Sequence, residues 1–98
     1  MSREIIKGGK VYIAMEMRHR CNEDFELESA TYRILDARKN PIETLGGPAQ
    51  IEDEKVFTKI DTTQEEFVAD RDYYCDFFVS IKNLIKLVPG RVRFRVIS

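Results

Sequence analysis

The lone histidine of this 98-residue chain, His19, stands two positions before Cys21, and Glu23 follows at the same spacing. On an extended segment these three side chains share one face, an arrangement that could in principle hold a divalent cation. A protein metal centre ordinarily draws on a second histidine or a cysteine pair, and neither lies nearby, so a polar strand end is the better reading. His19 is also too close in sequence to serve as a base for Cys21. The acidic run Ile51-Glu52-Asp53-Glu54-Lys55 offers oxygens for calcium but lacks the aspartate spacing and the glycine of a dedicated loop. Asp70 and Asp72 are the kind of carboxylate pair that polar corners carry without acid–base work. Gly8-Gly9 and Gly46-Gly47-Pro48 match neither the dinucleotide fingerprint nor the phosphate loop. The expectation is a protein that is not an enzyme, with no catalytic, metal or cofactor residues.

Composition sets the frame for whatever positions these side chains. Hydrophobic residues at 43% and charged residues at 34% describe a folded domain, not a disordered one. The net charge of −1 gives no global field to recruit nucleic acid or an anionic bilayer, so nucleic acid is not the expected partner. No apolar run reaches the roughly 20 residues of a membrane span, and no membrane insertion is expected. The first residues lack the apolar core of a signal peptide, which makes a cytoplasmic location the default. Residues 1–9 read as a flexible N-terminus and residues 10–98 as one domain.

Period-two alternation dominates. Tyr73, Cys75, Phe77, Val79 and Ile81 fall on one parity; Tyr74, Asp76, Phe78 and Ser80 fall on the other. This is the pattern of a strand with one buried face. Val92, Phe94 and Val96 alternate with Arg91, Arg93 and Arg95 in a second such run, and Val11, Ile13, Met15 and Met17 mark a third. Leu27 and Ala30 lie on opposite parities, which predicts a bulge near Glu28-Ser29. Residues 36–41 read as a polar hairpin connection in which Asn40 tolerates left-handed backbone. Residues 42–45 read as a short strand stopped by Gly46-Gly47-Pro48, with further short strands near 49–51 and 56–60. Thr63-Gln64-Glu65-Glu66 has the form of a helix capping box, allowing at most one helical turn over residues 63–69. Asn22-Glu23-Asp24 and Lys82-Asn83 read as turns, and Pro89-Gly90 as a kink or bulge in the last strand. About seven short antiparallel strands imply an all-β sandwich or barrel.

Tyr73-Tyr74-Cys75 favours the sandwich. An immunoglobulin-type sandwich carries a tyrosine two residues before its second cysteine, at a polar corner, with the hydroxyl bonded to upstream backbone. Tyr73 fits that role, and Cys21 stands upstream where a first cysteine would. The chain has no tryptophan, so Tyr32 or Leu35 would take the core position that residue usually fills. Two free thiols suit a reducing compartment, with Cys75 packed as a small hydrophobe; a Cys21–Cys75 bridge across the sandwich is the alternative.

The series Tyr32-Arg33-Ile34-Leu35-Asp36, Gly46-Gly47-Pro48-Ala49-Gln50-Ile51, Val56, Ile60-Asp61, the Tyr73 strand and Val92-Arg93-Phe94-Arg95-Val96 resembles the small immunoglobulin-like proteins of tailed bacteriophages and prophages. The resemblance spans residues 25–98. It implies an accessory virion component, a decoration of head, neck, tail or baseplate whose partners are other virion or host proteins. It brings no catalytic residues.

The interaction surface expected from the residues themselves comprises Tyr74, Phe78, Arg91, Arg93 and Arg95. Two aromatics on a nominally wet strand face mark either a partner-binding patch or a second layer, covered by residues 55–63 or by the N-terminal strand. The arginine row could neutralise phosphates, with Tyr12 or Tyr74 stacking bases, and the alternative function is accordingly a small cytosolic nucleic-acid or regulatory binding module that uses this C-terminal strand. A solvated face is simpler, and Asp76 on the neighbouring strand is the natural cross-strand partner for one arginine.

Overall fold

The computed structural model describes residues 3–16, 27–52, 55–81 and 87–98, with side chains of residues 87–89 left aside. Among the described residues, eight strands build two packed sheets: β1 Arg3–Ile6, β2 Lys10–Glu16, β3 Leu27–Leu35, β4 Pro41–Pro48, β5 Gln50–Glu52, β6 Lys55–Asp61, β7 Arg71–Ile81 and β8 Leu87–Ile97. One sheet has the order β1-β8-β7-β3-β4 and the other β2-β6-β5. All pairings are antiparallel except that of β1 with β8.

Alternation sorts the side chains as the sequence demands. Ile13, Val56 and Ile60 of the smaller sheet meet Ile34, Tyr73, Cys75, Phe77, Val79, Phe94 and Val96 of the larger in one dry layer. The bulge predicted near Glu28-Ser29 is present as a register shift between Leu27 and Ser29. That shift brings Ala30, Tyr32 and Ile34 onto the inward parity of β7. Ile34 pairs with Cys75 and occupies the core, whereas Tyr32 packs against it only partly buried. Leu35 is also buried.

Several local expectations are corrected. Residues 3–6 are not a flexible lead: they form β1, and Ile5 is 2% exposed against the core. The strand is held beyond its ladder by Thr62, whose buried hydroxyl accepts from the Gly8 amide and donates to the Gly9 carbonyl. Lys7 adds Nζ bonds to the carbonyls of Thr62 and Gln64 at 2.6 and 2.9 Å. These partners also close the β1–β2 turn, where Gly8 has φ +94° and needs no side chain.

β4 continues through Gly46-Gly47-Pro48 instead of stopping there, because an outermost strand tolerates proline and glycine. A Cβ at Gly46 would lie 3.0 Å from the Tyr32 carbonyl, so the two backbones approach closely. Between the pairs Arg33–Gly46 and Leu35–Pro41, residues 42–45 stand opposite Ile34 alone, and the edge strand bows out of the ladder.

The left-handed residue of the β3–β4 connection is Lys39, φ +66°, and not Asn40. The Asp36 carboxylate accepts the amides of Arg38 and Asn40, which leaves the intervening residue to turn. The capping box does not nucleate a helix: Asp61 takes the Thr63 amide and hydroxyl, and residues 62–66 form only turns and a bend. Pro89-Gly90 introduces no bulge, since β7 and β8 stay in one register from Arg71–Val96 to Ser80–Leu87. The Met15 thioether of the opposite sheet packs into the space that a Cβ at Gly90 would take. The turns expected at residues 22–24 and 82–83 lie outside the described residues.

Candidate contact face

β7 pairs with β3 on one side and β8 on the other, so its outward residues sit at the centre of a five-strand surface. Register then dictates the rows. Arg33, Asp76 and Arg91 form one row; Leu35, Tyr74 and Arg93 form the next; Asp72 and Arg95 form a third. The sequence-predicted residues Tyr74, Phe78, Arg91, Arg93 and Arg95 are therefore gathered on one face.

The cross-strand partner expected for an arginine is realised. Arg91 Nε and Nη2 donate to the two oxygens of Asp76 at 2.6 and 2.9 Å, a forked geometry only guanidinium provides. The Asp76 carboxylate is nearly closed off from water, while the Arg91 side chain remains 43% exposed. Asp72 accepts from Arg93 at 2.7 Å and from Arg95 at 3.2 Å. The Arg93 hydrogen bond is the main reason the Asp72 carboxyl is held below its ordinary value of 3.8.

The two aromatics are half-buried, but neither residues 55–63 nor the N-terminal strand expected over them, β2, covers them, since β2 and β6 belong to the opposite sheet. Cations do. The Arg33 guanidinium lies 5.3 Å from the centroid of Phe78, and Arg91 and Lys39 lie 5.4 and 5.6 Å from that of Tyr74. Each such contact contributes about 0.5–1 kcal/mol at an exposed site. Arg33 and Lys39 were not singled out from sequence. Their role depends on the β3–β7 register and the hairpin turn, which alternation alone does not reveal.

The other candidates separate. Tyr12 cannot join the arginine row: it is on β2, in the opposite sheet, 55% exposed and edge-on to Phe57 at 5.8 Å. Asp70 and Asp72 do not form a carboxylate pair. Asp70 is a left-handed turn residue, φ +65°, whose carbonyl takes a bond from Arg95, while Asp72 serves the arginines. Tyr73 performs the structural role expected: its hydroxyl accepts the Val68 amide at 2.7 Å and donates to the Glu66 carbonyl at 3.3 Å. Its ring packs with Phe67 and Phe94 at 5.2 and 5.7 Å.

Cys75 is a free thiol in the dry layer, and burial pushes its pKa up to about 12, which keeps it from thiolate chemistry. Cys21, His19, Glu23, Asp53 and Glu54 lie outside the described residues. Among the described residues, no group of three His, Cys, Asp or Glu side chains could hold a metal. Among the described residues, no helix is long and apolar enough to cross a membrane. The arrangement thus offers a charged and aromatic surface on the five-stranded sheet. In comparison with known proteins, no family model, no curated protein and no solved structure matches the chain.

Proposed function

We propose that this chain is an immunoglobulin-like domain that works by surface contact, as a non-enzymatic accessory subunit of a phage or prophage particle. The observation that carries the contact reading is the outer face of the five-stranded sheet, where Tyr74 and Phe78 lie half-buried beneath Arg33, Arg91 and Lys39. Aromatic and arginine side chains are the types enriched where proteins meet. The immunoglobulin-like assignment draws on the strand order β1-β8-β7-β3-β4 facing β2-β6-β5, and on the Tyr73 hydroxyl bonded at the β6–β7 corner. The virion role draws on the resemblance in strand rhythm, since a sandwich by itself hosts many functions.

A tagged copy expressed from its natural locus should sediment with assembled particles, and neighbouring genes should encode capsid, portal or tail proteins. Phe78→Ser should release the chain from that fraction while leaving its circular dichroism unchanged. A chain that stays in the soluble fraction, with no structural genes nearby, defeats the virion role. Binding of nucleic acid is the competing idea. It is weakened by the ion pairs that already occupy Arg91, Arg93 and Arg95, and it requires an affinity that falls steeply with salt and vanishes when all three become serine.

A further inference from the structure

The outermost strands of the two sheets are not equally protected. β4 carries Pro41 and Pro48 and bows out of its ladder. β5 has three residues, and β1 has four, with Arg3 and Glu4 among them. Short length, proline, bulges and charge are the devices that keep a sheet edge from pairing further. Residues 11–15 of β2 have none of these. Among the described residues, β2 pairs with β6 alone. The Gly9 carbonyl accepts the Thr62 amide at 3.0 Å, so the unbroken register turns the main chain of Val11, Ile13 and Met15 toward β6. The amides and carbonyls of Lys10, Tyr12, Ala14 and Glu16 therefore point to the open side. Val11 and Met15 pack against the core yet stay only partly buried, and Tyr12 is 55% exposed.

We propose that a second copy of this chain adds its own β2 antiparallel to this edge, about a twofold axis at Ile13. The strand Lys10–Glu16 is complementary to itself in that register. Lys10 meets the second copy's Glu16, Val11 its Met15, Tyr12 its Ala14, and Ile13 its own counterpart. Opposite charges then lie at both ends, a large ring faces a methyl group, and the inward apolar row runs on across the junction. No other antiparallel register achieves this. A shift by two residues loses both ion pairs, and a shift by one sets core-facing against solvent-facing side chains. The hydrogen-bonded pairs fall at Lys10–Glu16 and Tyr12–Ala14, the residues whose main-chain groups are open. Two three-stranded sheets become one continuous sheet. The pairing is isologous and consumes both open edges, so it closes at a dimer. It uses no residue of the outer face of β7, and it goes beyond the contact reading above.

The test is the oligomeric state of the full chain. Sedimentation equilibrium between about 5 and about 500 µM should show monomer passing reversibly into dimer, as a small strand-pair interface implies. Ala14→Pro removes an amide that the β6 ladder does not use. It should raise the dimer dissociation constant at least about tenfold with an unchanged circular dichroism spectrum. Lys10→Glu and Glu16→Lys should each weaken self-association by setting like charges opposite one another. Mixing those two variant chains should restore a dimer, now between unlike chains, because each end again meets its opposite. A chain that stays monomeric throughout, or a dimer that survives Ala14→Pro, would overturn the proposal. So would a mixture no more dimeric than its components. A dimer abolished by Phe78→Ser instead would move self-association to the outer face of β7 and defeat the edge assignment. If Ala14→Pro fails to fold, the mixing experiment decides alone.

Discussion

The two surfaces of β7 hold their aromatic residues by different means. On the inward side, Tyr73 and Phe77 lie with Phe67 and Phe94 in a layer from which water is excluded. On the outward side, Tyr74 and Phe78 are neighbours of the same residues in sequence, yet they are covered by charged planes from β3, the β3–β4 turn and β8. One surface is held by exclusion of solvent, which neither salt nor mild acid disturbs. The other is held by cations whose attachment is electrostatic and reversible.

The contrast is broken most severely by Phe77→Ala. The residue is fully buried, and its loss should cost about 3–5 kcal/mol in denaturant unfolding. A cost close to that of Phe78 would mean the inward layer is not the drier one. Tyr73→Phe keeps the ring and removes only the hydroxyl that holds the Val68 amide, so about 1–2 kcal/mol should be lost. A neutral result would show that the corner is satisfied by water. Phe78→Ser removes a half-buried ring already reached by solvent, and the expected loss is about 1 kcal/mol, with the larger change in association. A loss as large as that for Phe77 would make the outer face a second core.

The smallest effect is on acid stability. The Asp72 carboxyl lies below its ordinary value of 3.8 because Arg93 bonds its charged form. Its contribution is therefore complete above that pH and is lost as pH falls through the lower folded value. Asp72→Asn should flatten the acid limb of a stability-versus-pH curve, and an unchanged limb would show the pair to be idle.

Much of this was legible in the residues. Strict alternation over 73–81 announced the central strand and both its surfaces, and the parity change before Ala30 announced a bulge. Tyr73 with its polar corner announced the hydroxyl bond. What was hidden had physical causes. β1 contributes one buried side chain, Ile5, too few to show a period, so residues 1–9 read as a flexible lead. β4 carries glycine and proline that would end a central strand but are harmless at an edge. The Thr63 box lost its amide to Asp61, a competition that a spacing rule does not weigh. At the contact face the arginines and aromatics were visible, but Arg33 and Lys39 gained their meaning only from register and from a left-handed turn.

The parallel seam between Arg3–Ile6 and Phe94–Ile97 has a mechanical corollary. The upstream strand enters the seam at Arg3 and the downstream strand leaves it at Ile97, at opposite extremities of the pair. Tension between those two points would drag the strands lengthwise, loading every bond of the seam together instead of peeling them one after another. A domain stretched between those two flanks would have to yield at this seam by sliding, not by unzipping.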